Sequence, residues 1–184
     1  MVFSKINGSH SPQVIISRAS EAEVDIVYGI LEEATAWLAL HGMQHWNGVH
    51  SKERILADFE KSHVLIAKLQ TEEFVGTVTI SFVAPSYQEA SDQNFWQDST
   101  APAAYILKLA VAPNHMKKGI AIQLLFAAEQ DALQSGAQYT RGDTNPAFPK
   151  LVSYYLNRGY TKRGERAGNS FFEKELAKDF NSAL

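Results

Sequence analysis

The segment from Ile106 to Gly136 constrains the fold of this 184-residue chain more than any other. It begins with the apolar run Ile106–Val111, closed by Pro113, and this pattern predicts a strand. After a short loop, apolar residues recur at helical spacing over 119–135, with Gly136 just past the predicted helix end. The apolar face of that helix comprises Ala121, Leu124, Leu125, Ala128 and Ala132. A strand, a loop and a helix in this order are typical of α/β proteins.

Antiparallel strands are predicted ahead of this segment. Two apolar runs, 64–68 and 74–82, flank a short polar turn and predict a hairpin. The β-branched run 14–16 predicts a first strand. A long polar connection over 84–103 then leads to the strand at Ile106, and connections of this length are usually functional or mobile.

Two amphipathic helices are predicted between the first strand and the hairpin. Ser20 and Glu23 have the spacing of a capping box and predict the start of the first helix, which Gly42 ends. Its predicted apolar face comprises Ile26, Ile30, Ala34, Trp37 and Leu38. The second helix is predicted to begin at Ser51.

Beyond Gly136 the pattern continues with alternating elements. A strand is predicted near 139–143, a helix from Pro149 to Gly159, and a final strand over 170–176. The predicted order is β-α-α-β-β-β-α-β-α-β. This order predicts a mixed α/β fold whose sheet is antiparallel in its N-terminal strands and parallel in its central strands.

Length and composition narrow the class of protein. The chain suits a single domain, predicted over 14–184 behind a flexible arm over 1–13. It has no cysteine, which excludes disulfides, thiolate zinc sites and a cysteine nucleophile. No apolar run is long enough to span a membrane, and the N-terminus lacks the apolar run of a signal peptide, so we expect a cytoplasmic protein.

Charge is distributed unevenly along the chain. Residues 1–100 carry six Lys/Arg and thirteen Asp/Glu, a net charge of −7, whereas residues 101–184 carry eleven and seven, a net charge of +4. A basic half without a nucleic-acid motif favours a small anionic ligand. The alternative is that solvated faces differ in sign without functional meaning.

The loop before the long helix has the chemistry of an anion site. Gly119, Ile120 and Ala121 open the helix, and small residues let a ligand approach its free N–H groups. Lys117 and Lys118 add positive charge, so a pyrophosphate fits. A dinucleotide or P-loop motif is absent from the sequence. Many helices open in this way without a ligand, so the loop alone leaves both interpretations open.

Together with a second motif, this loop resembles the acetyl-CoA pyrophosphate loop of the GNAT N-acetyltransferase superfamily. The family pattern is Gln/Arg-x-x-Gly-x-Gly/Ala after a strand ending in Leu-x-Val. Here the strand end is Leu109–Val111, and the small residues are Gly119 and Ala121. Met116 stands where the family has Gln or Arg, which removes one side-chain contact and leaves the backbone cradle. The run 155–160 resembles the closing Tyr-x-x-x-Gly-Phe motif.

Other parts of the chain are similar to the same family. Asp143 and Thr144 resemble an Asp-Thr-His subgroup, and 37–47 resembles a segment of bacterial members. Phe148 occupies the position of a frequent family Asn, and Asn145, three residues earlier, is a candidate substitute although its register differs. The resemblance covers nearly all of residues 14–176.

The resemblance implies a GNAT fold in which two central parallel strands splay apart. Pantetheine would lie between them, bonded to the backbone near Leu109 and Val111, while the pyrophosphate would meet the N–H groups of 118–122. The residues predicted to bind acetyl-CoA, the cosubstrate, are Leu109, Ala110, Val111, Lys117, Lys118, Gly119, Ile120, Ala121 and Ile122.

The resemblance also implies roles for two side chains in direct acetyl transfer within a ternary complex. An attacking amine must lose a proton, and Asp143 is the candidate base. The leaving thiolate needs a proton, and Tyr155 matches the family's donor. The alternatives are that Asp143 caps a turn and that Tyr155 packs in the core. Tyr154 is the predicted core residue of the pair.

The sequence therefore predicts an acetyl-CoA-dependent N-acetyltransferase acting on a small acceptor, a primary amine. The alternatives are acetylation of a protein N-terminus or lysine, and a CoA-binding module without catalysis. We expect no metal, since His41 and His45 flank Gly42 and lack a third ligand. We expect neither a nucleic acid nor a membrane as partner, and a homodimer stays open.

Overall fold

The computed structural model describes residues 12–88 and 90–177, which divide into two compact units. Unit 1 comprises the described residues up to Ser81 together with Leu107–Ala128, and unit 2 comprises Phe82–Ile106 and the described residues from Glu129 onward. The predicted arm over 1–13 lies outside the described residues except for its last two. The single domain over 14–184 stays a prediction.

Unit 1 contains the predicted antiparallel strands. Strand β1 is Val14–Arg18, β2 is Ser62–Leu69 and β3 is Phe74–Ser81; β1 pairs with β2, and β2 with β3, both antiparallel. The predicted hairpin is confirmed. The last part of β4 (Ala103–Val111) lies next to β3 in the sheet order.

Two helices of unit 1 pack on these strands. Helix α1 is Val24–Leu40 and follows a short 3-10 turn in which the Glu23 carboxylate accepts a hydrogen bond from the Ser20 backbone N–H at 2.8 Å. Helix α2 is Lys52–Lys61, and the Ser51 hydroxyl accepts from the Arg54 N–H at 3.3 Å. Both predicted helix starts are therefore confirmed.

The buried face of α1 differs from the predicted one. Its buried residues are Val27, Ile30, Leu31 and Ala34. Ile30 and Ala34 were predicted, whereas Ile26 is only partly buried against the cluster and Trp37 stacks on the ring of His41 at 3.8 Å. The cluster also contains Ile55 from α2 and Val64 and Ile66 from β2, so the buried face of α1 is the face that packs on these elements.

Helix α3 is Ile120–Gln134, close to its prediction, and Gly136 follows it with a φ of 91°. Within unit 1 it packs on the sheet next to Gly76. A Cβ at Gly76 would meet Leu124 Cδ1 at 2.8 Å and the Ala110 carbonyl oxygen at 3.0 Å. Glycine at this position therefore allows the close approach of β3, β4 and α3.

Unit 2 carries the parallel pairing and a strand that the sequence did not predict. Strand β5 is Tyr139–Thr144 and pairs in parallel with β4 over Ala103–Tyr105. Strand β7 is Asn169–Glu175 and pairs antiparallel with β5 and with β6, Thr161–Arg166. Helix α4 is Pro149–Leu156.

The missed strand β6 has the sequence TKRGER, which has no apolar alternation. It lies at the edge of the sheet order, and β7 supplies its only strand neighbour among the described residues. A Cβ at Gly164 would overlap the Phe95 ring, so this glycine lets the long connection pack on β6. This segment is a strand because it pairs with β7 and packs on Phe95, and its hydrophobic pattern does not predict one.

The predicted mixed α/β fold is confirmed, with antiparallel N-terminal strands and a parallel pairing of β4 with β5. The ladder of that pair spans three residue pairs, although β4 continues to Val111 and β5 to Thr144. The predicted splay concerns residues of different units and stays a prediction. Among the described residues, no helix is long and apolar enough to cross a membrane.

Candidate functional site

The loop between β4 and α3 has an unusual backbone. A 3-10 turn over Pro113–His115 follows β4, and the Ala112 N–H donates to the Val75 carbonyl at 2.9 Å. Lys117 then has a φ of 62° and Gly119 a φ of 79°. Glycine adopts this left-handed region readily, whereas it is uncommon for lysine. The loop is thus held in a conformation that local preference alone would not select.

The loop leads directly into the first turn of α3. The Gln123 N–H bonds to the Gly119 carbonyl at 3.2 Å, in the pattern of the first helical turn. The N–H groups of Ile120, Ala121 and Ile122 precede this bond and have no acceptor within the helix. The first turn contains no acidic residue that would neutralise the helix dipole. This arrangement can bind an anion such as a pyrophosphate.

The two predicted lysines of the loop differ in their surroundings. Both side chains are exposed. Lys118 Nζ donates to the Asn114 carbonyl oxygen at 2.8 Å and so closes the loop on itself. Lys118 therefore supports the backbone as well as adding charge.

The predicted pantetheine-binding residues lie at the end of β4. Ala110 and Val111 are buried, and Leu109 is half-buried. The residue before them, Lys108, has a φ of 52° and forms an ion pair with Asp58 of α2. The positive φ at Lys108 interrupts the regular strand just before Leu109, which the sequence did not predict.

In unit 2, Asp143 lies near the end of β5 and is half-buried. The Tyr87 hydroxyl donates to Asp143 Oδ1 at 2.6 Å. Burial raises the pKa of Asp143 above its usual value; the Tyr87 hydrogen bond lowers it, and the charge of Asp92 raises it further. A carboxylate with a raised pKa accepts a proton more readily than an ordinary aspartate.

Tyr155 lies on α4 and is only 9% exposed. Its ring stacks on Phe172 at 5.3 Å and contacts Tyr154 and Tyr160, each at 5.4 Å. Tyr154 was predicted to be the core residue of the pair. That prediction is wrong, because Tyr155 is the more deeply buried of the two. Helix α4 presents position 155, rather than 154, to β7.

The phenol of Tyr155 is held in its protonated form. Burial raises the pKa of Tyr155, and the neighbouring Tyr154 and Asp143 add to the rise. Asp143 and Tyr155, predicted from separate motifs, are thus electrostatically coupled within unit 2. A protonated phenol can serve as a proton donor.

Asn145 has a local structural contact. Its side-chain oxygen accepts a hydrogen bond from the Ala147 N–H at 2.8 Å, which shapes the turn before α4. Phe148 occupies the N-cap position of α4 and caps no N–H with its side chain. A role for Asn145 in place of the family Asn stays a prediction.

No cluster of three or more metal-ligating side chains occurs among the described residues. His41 Nδ1 lies 2.7 Å from the Trp37 carbonyl oxygen, and its ring stacks on the Trp37 ring. His45 lies beside Trp46, with ring centroids 6.1 Å apart.

A family model decides the relationship of the chain. The model of the acetyltransferase (GNAT) family matches residues 31–160, well over half of the sequence. The chain belongs to the GNAT acetyltransferase family. It is an acetyltransferase that uses acetyl-CoA, as the loop and the closing motif predicted.

Solved structures of similar fold agree with this assignment. A GNAT-family acetyltransferase from Listeria monocytogenes matches with a TM-score of 0.79 at 16% identity, covering 94% of this chain and 100% of that chain. The PaiA N-acetyltransferase of Thermoplasma acidophilum, in complex with coenzyme A, matches with a TM-score of 0.69 at 18% identity, covering 89% and 99%. A Salmonella typhimurium structure with acetyl-CoA matches with a TM-score of 0.62 at 17% identity, covering 90% and 95%. No curated protein matches the sequence significantly.

Two residues of this acetyltransferase, Tyr87 and His50, have surroundings that the sequence did not predict. Tyr87 bonds to Asp143 across 56 residues of sequence, and no local pattern pairs them. His50 is 8% exposed, and neither of its ring nitrogens has a hydrogen-bond partner among the described residues. The only sequence signal for Tyr87 was its place in a long connection, and there was none for His50.

Proposed function

We propose that this acetyltransferase transfers the acetyl group directly from acetyl-CoA to a primary amine of a small cationic acceptor. The observation that carries the proposal is the half-buried Asp143 carboxyl, whose pKa is raised and whose Oδ1 is oriented by the Tyr87 hydroxyl. A lysine-like amine is mostly protonated at neutral pH, with a pKa of about 10.4. A base is therefore needed to expose its lone pair.

The loop of unit 1 supports acetyl-CoA as the donor. The N–H groups of Ile120, Ala121 and Ile122 suit the pyrophosphate, and Lys117 and Lys118 add charge. Gly119 allows a phosphate to approach the backbone. We assign backbone contacts with pantetheine to Leu109, Ala110 and Val111.

In the proposed reaction the amine nitrogen bonds to the carbonyl carbon of the thioester, and the carbon–sulfur bond breaks. The ammonium loses one proton to Asp143, directly or through water, and this exposes the lone pair. The second proton leaves the nitrogen after the attack and replaces the proton that Tyr155 gives up. The CoA thiolate takes the phenolic proton of Tyr155, which is protonated at neutral pH as phenols ordinarily are. The products are an amide and CoA.

The acceptor class follows from charge. The first hundred residues carry a net charge of −7, and acidic surfaces raise the local concentration of cations. Such surfaces also stabilise the protonated amine, so a base such as Asp143 has to offset them. We expect kcat/KM to rise from pH 6 to pH 8.5 as the amine loses its proton.

The test is steady-state release of CoA with a panel of acceptors. Because the chain has no cysteine, a thiol reagent detects free CoA without background from the protein. Polyamines and lysine-like amines should outperform anionic and hydroxyl acceptors, and Asp143→Asn should lower kcat by about 10²-fold at pH 7. Faster turnover of peptides would favour a protein acetyltransferase. Tight CoA binding without any turnover would favour a binding module.

A further inference from the structure

We propose that three residues, Tyr87, Asp92 and Arg166, form a clamp that places the Tyr87 hydroxyl on Asp143 and thereby positions this carboxyl for proton transfer. We call them the Arg166 clamp. The inference rests on the proposed role of Asp143 as the base. It assigns a function to the long connection between β3 and β4, which the sequence marked by its length alone.

The contact between Tyr87 and Asp143 is a specific polar one. Tyr87 Oη lies 2.6 Å from Asp143 Oδ1, the short distance of a hydroxyl donating to a carboxylate. Tyr87 is 50% exposed. Core packing therefore does not account for the position of this ring. The hydrogen bond to Asp143 gives the side chain its orientation.

Arg166 holds the connection on the other side of Tyr87. Its Nε and Nη2 donate to the two oxygens of Asp92 at 2.5 and 2.7 Å, and Nη2 also lies 3.4 Å from the Tyr87 carbonyl oxygen. The Asp92 side chain is fully buried. A two-pronged arginine–carboxylate pair fixes direction as well as distance. The clamp therefore fixes the backbone from which Tyr87 reaches Asp143.

Strand β7 pairs with the strand that carries Asp143 and with the strand that carries Arg166. Asp143 on β5 pairs with Phe171 of β7, and Arg166 on β6 pairs with Asn169 of the same strand. The two anchor points are thus two residues apart on β7. Phe95, further along the connection, packs on Gly164 of β6. Asp143 and the clamp consequently share one hydrogen-bonded frame within unit 2.

The clamp also sets the charges that Asp143 meets. Tyr87 and Asp92 from the connection and Tyr155 from α4 face it electrostatically, and Arg166 balances Asp92. On β7, the residue paired with Asp143 is Phe171, which carries no charge. The Tyr87 hydrogen bond lowers the pKa of Asp143, whereas burial and Asp92 raise it. Loss of the Tyr87 hydroxyl should therefore favour the protonated carboxyl.

The test compares Tyr87→Phe with Tyr139→Phe, a matched control on the strand of Asp143 but four residues from it. The kcat/KM profile should contain a lower step, from Asp143, beneath the rise that the amine produces. Tyr87→Phe should move that lower step upward by about 0.5 to 1 pH unit and leave the KM for acetyl-CoA unchanged. Arg166→Lys keeps the charge but loses the fork, and it should give a smaller shift in the same direction. Tyr139→Phe should keep the wild-type midpoint.

A second readout does not depend on turnover. The ¹³C carboxyl resonance of Asp143, assigned by its loss in Asp143→Asn, should titrate at higher pH in Tyr87→Phe than in wild type. Wild-type midpoints in Tyr87→Phe by both readouts, with activity lost in Asp143→Asn, would overturn the clamp and leave the proposed base intact. Full turnover in Asp143→Asn would overturn the proposed base and, with it, the catalytic role of the clamp.

Discussion

Replacing His50, the buried histidine of unit 1, should reduce the loss of unfolding free energy that occurs when the pH is lowered. Burial, with the positive charges of Lys108 and Arg54, lowers the pKa of His50 from 6.5 to about 4. In the unfolded chain His50 is protonated below pH 6.5. In the native state its ring stays neutral until the pH is near 4. The unfolded state therefore binds more protons in this window, and stability falls as pH falls.

The magnitude follows from the two pKa values. With 6.5 in the unfolded state and about 4 in the native state, His50 should cost the native state about 2 kcal/mol on going from pH 7 to pH 5. His50→Phe keeps a ring beside Trp46, whose centroid lies 4.9 Å away, and removes two nitrogens that have no partner among the described residues. The variant should lose about 2 kcal/mol less than wild type over the same interval.

Urea unfolding followed by circular dichroism at pH 7 and pH 5 measures this difference. Trp46→Phe is the matched control, because it weakens the packing around His50 without removing a titratable group. It should lower the free energy of unfolding by similar amounts at both pH values. Equal pH dependence in wild type and His50→Phe would refute the reasoning, as would a histidine ring resonance of His50 that titrates near pH 6.5.

Four further substitutions test the proposed site. Gly119→Val should abolish CoA binding, since a side chain in this left-handed position obstructs the pyrophosphate. Calorimetry on the folded variant measures the affinity, and an unchanged value would exclude this loop as the CoA site. Lys117→Gln should weaken CoA binding most at low salt. Lys118→Gln should also lose affinity at high salt, because its hydrogen bond to Asn114 is removed together with the charge. The salt dependence of Kd separates the two variants. Tyr155→Phe should lower kcat about 10²-fold at constant KM for acetyl-CoA, and wild-type turnover would leave Tyr155 a core residue only.

Local pattern was enough to predict much of the fold. The hairpin, α3 and the starts of α1 and α2 depend on periodicity, turn residues and capping within a few positions, and each is found where the sequence predicts it. The loop motif and the closing motif likewise lie within short segments. Fold class and family therefore followed from the sequence.

Contacts between distant segments decided the rest. Strand β6 forms by pairing with β7, the buried face of α1 is set by α2 and β2, and α4 presents Tyr155 rather than Tyr154 to β7. The hydrogen bond from Tyr87 to Asp143 spans 56 residues, and the pair of Arg166 with Asp92 spans 74. Hydrophobic period and propensity report only on neighbours along the chain, whereas the partner of a polar side chain is chosen when strands and connections pack together. The environment that tunes the candidate base is therefore a property of the tertiary structure.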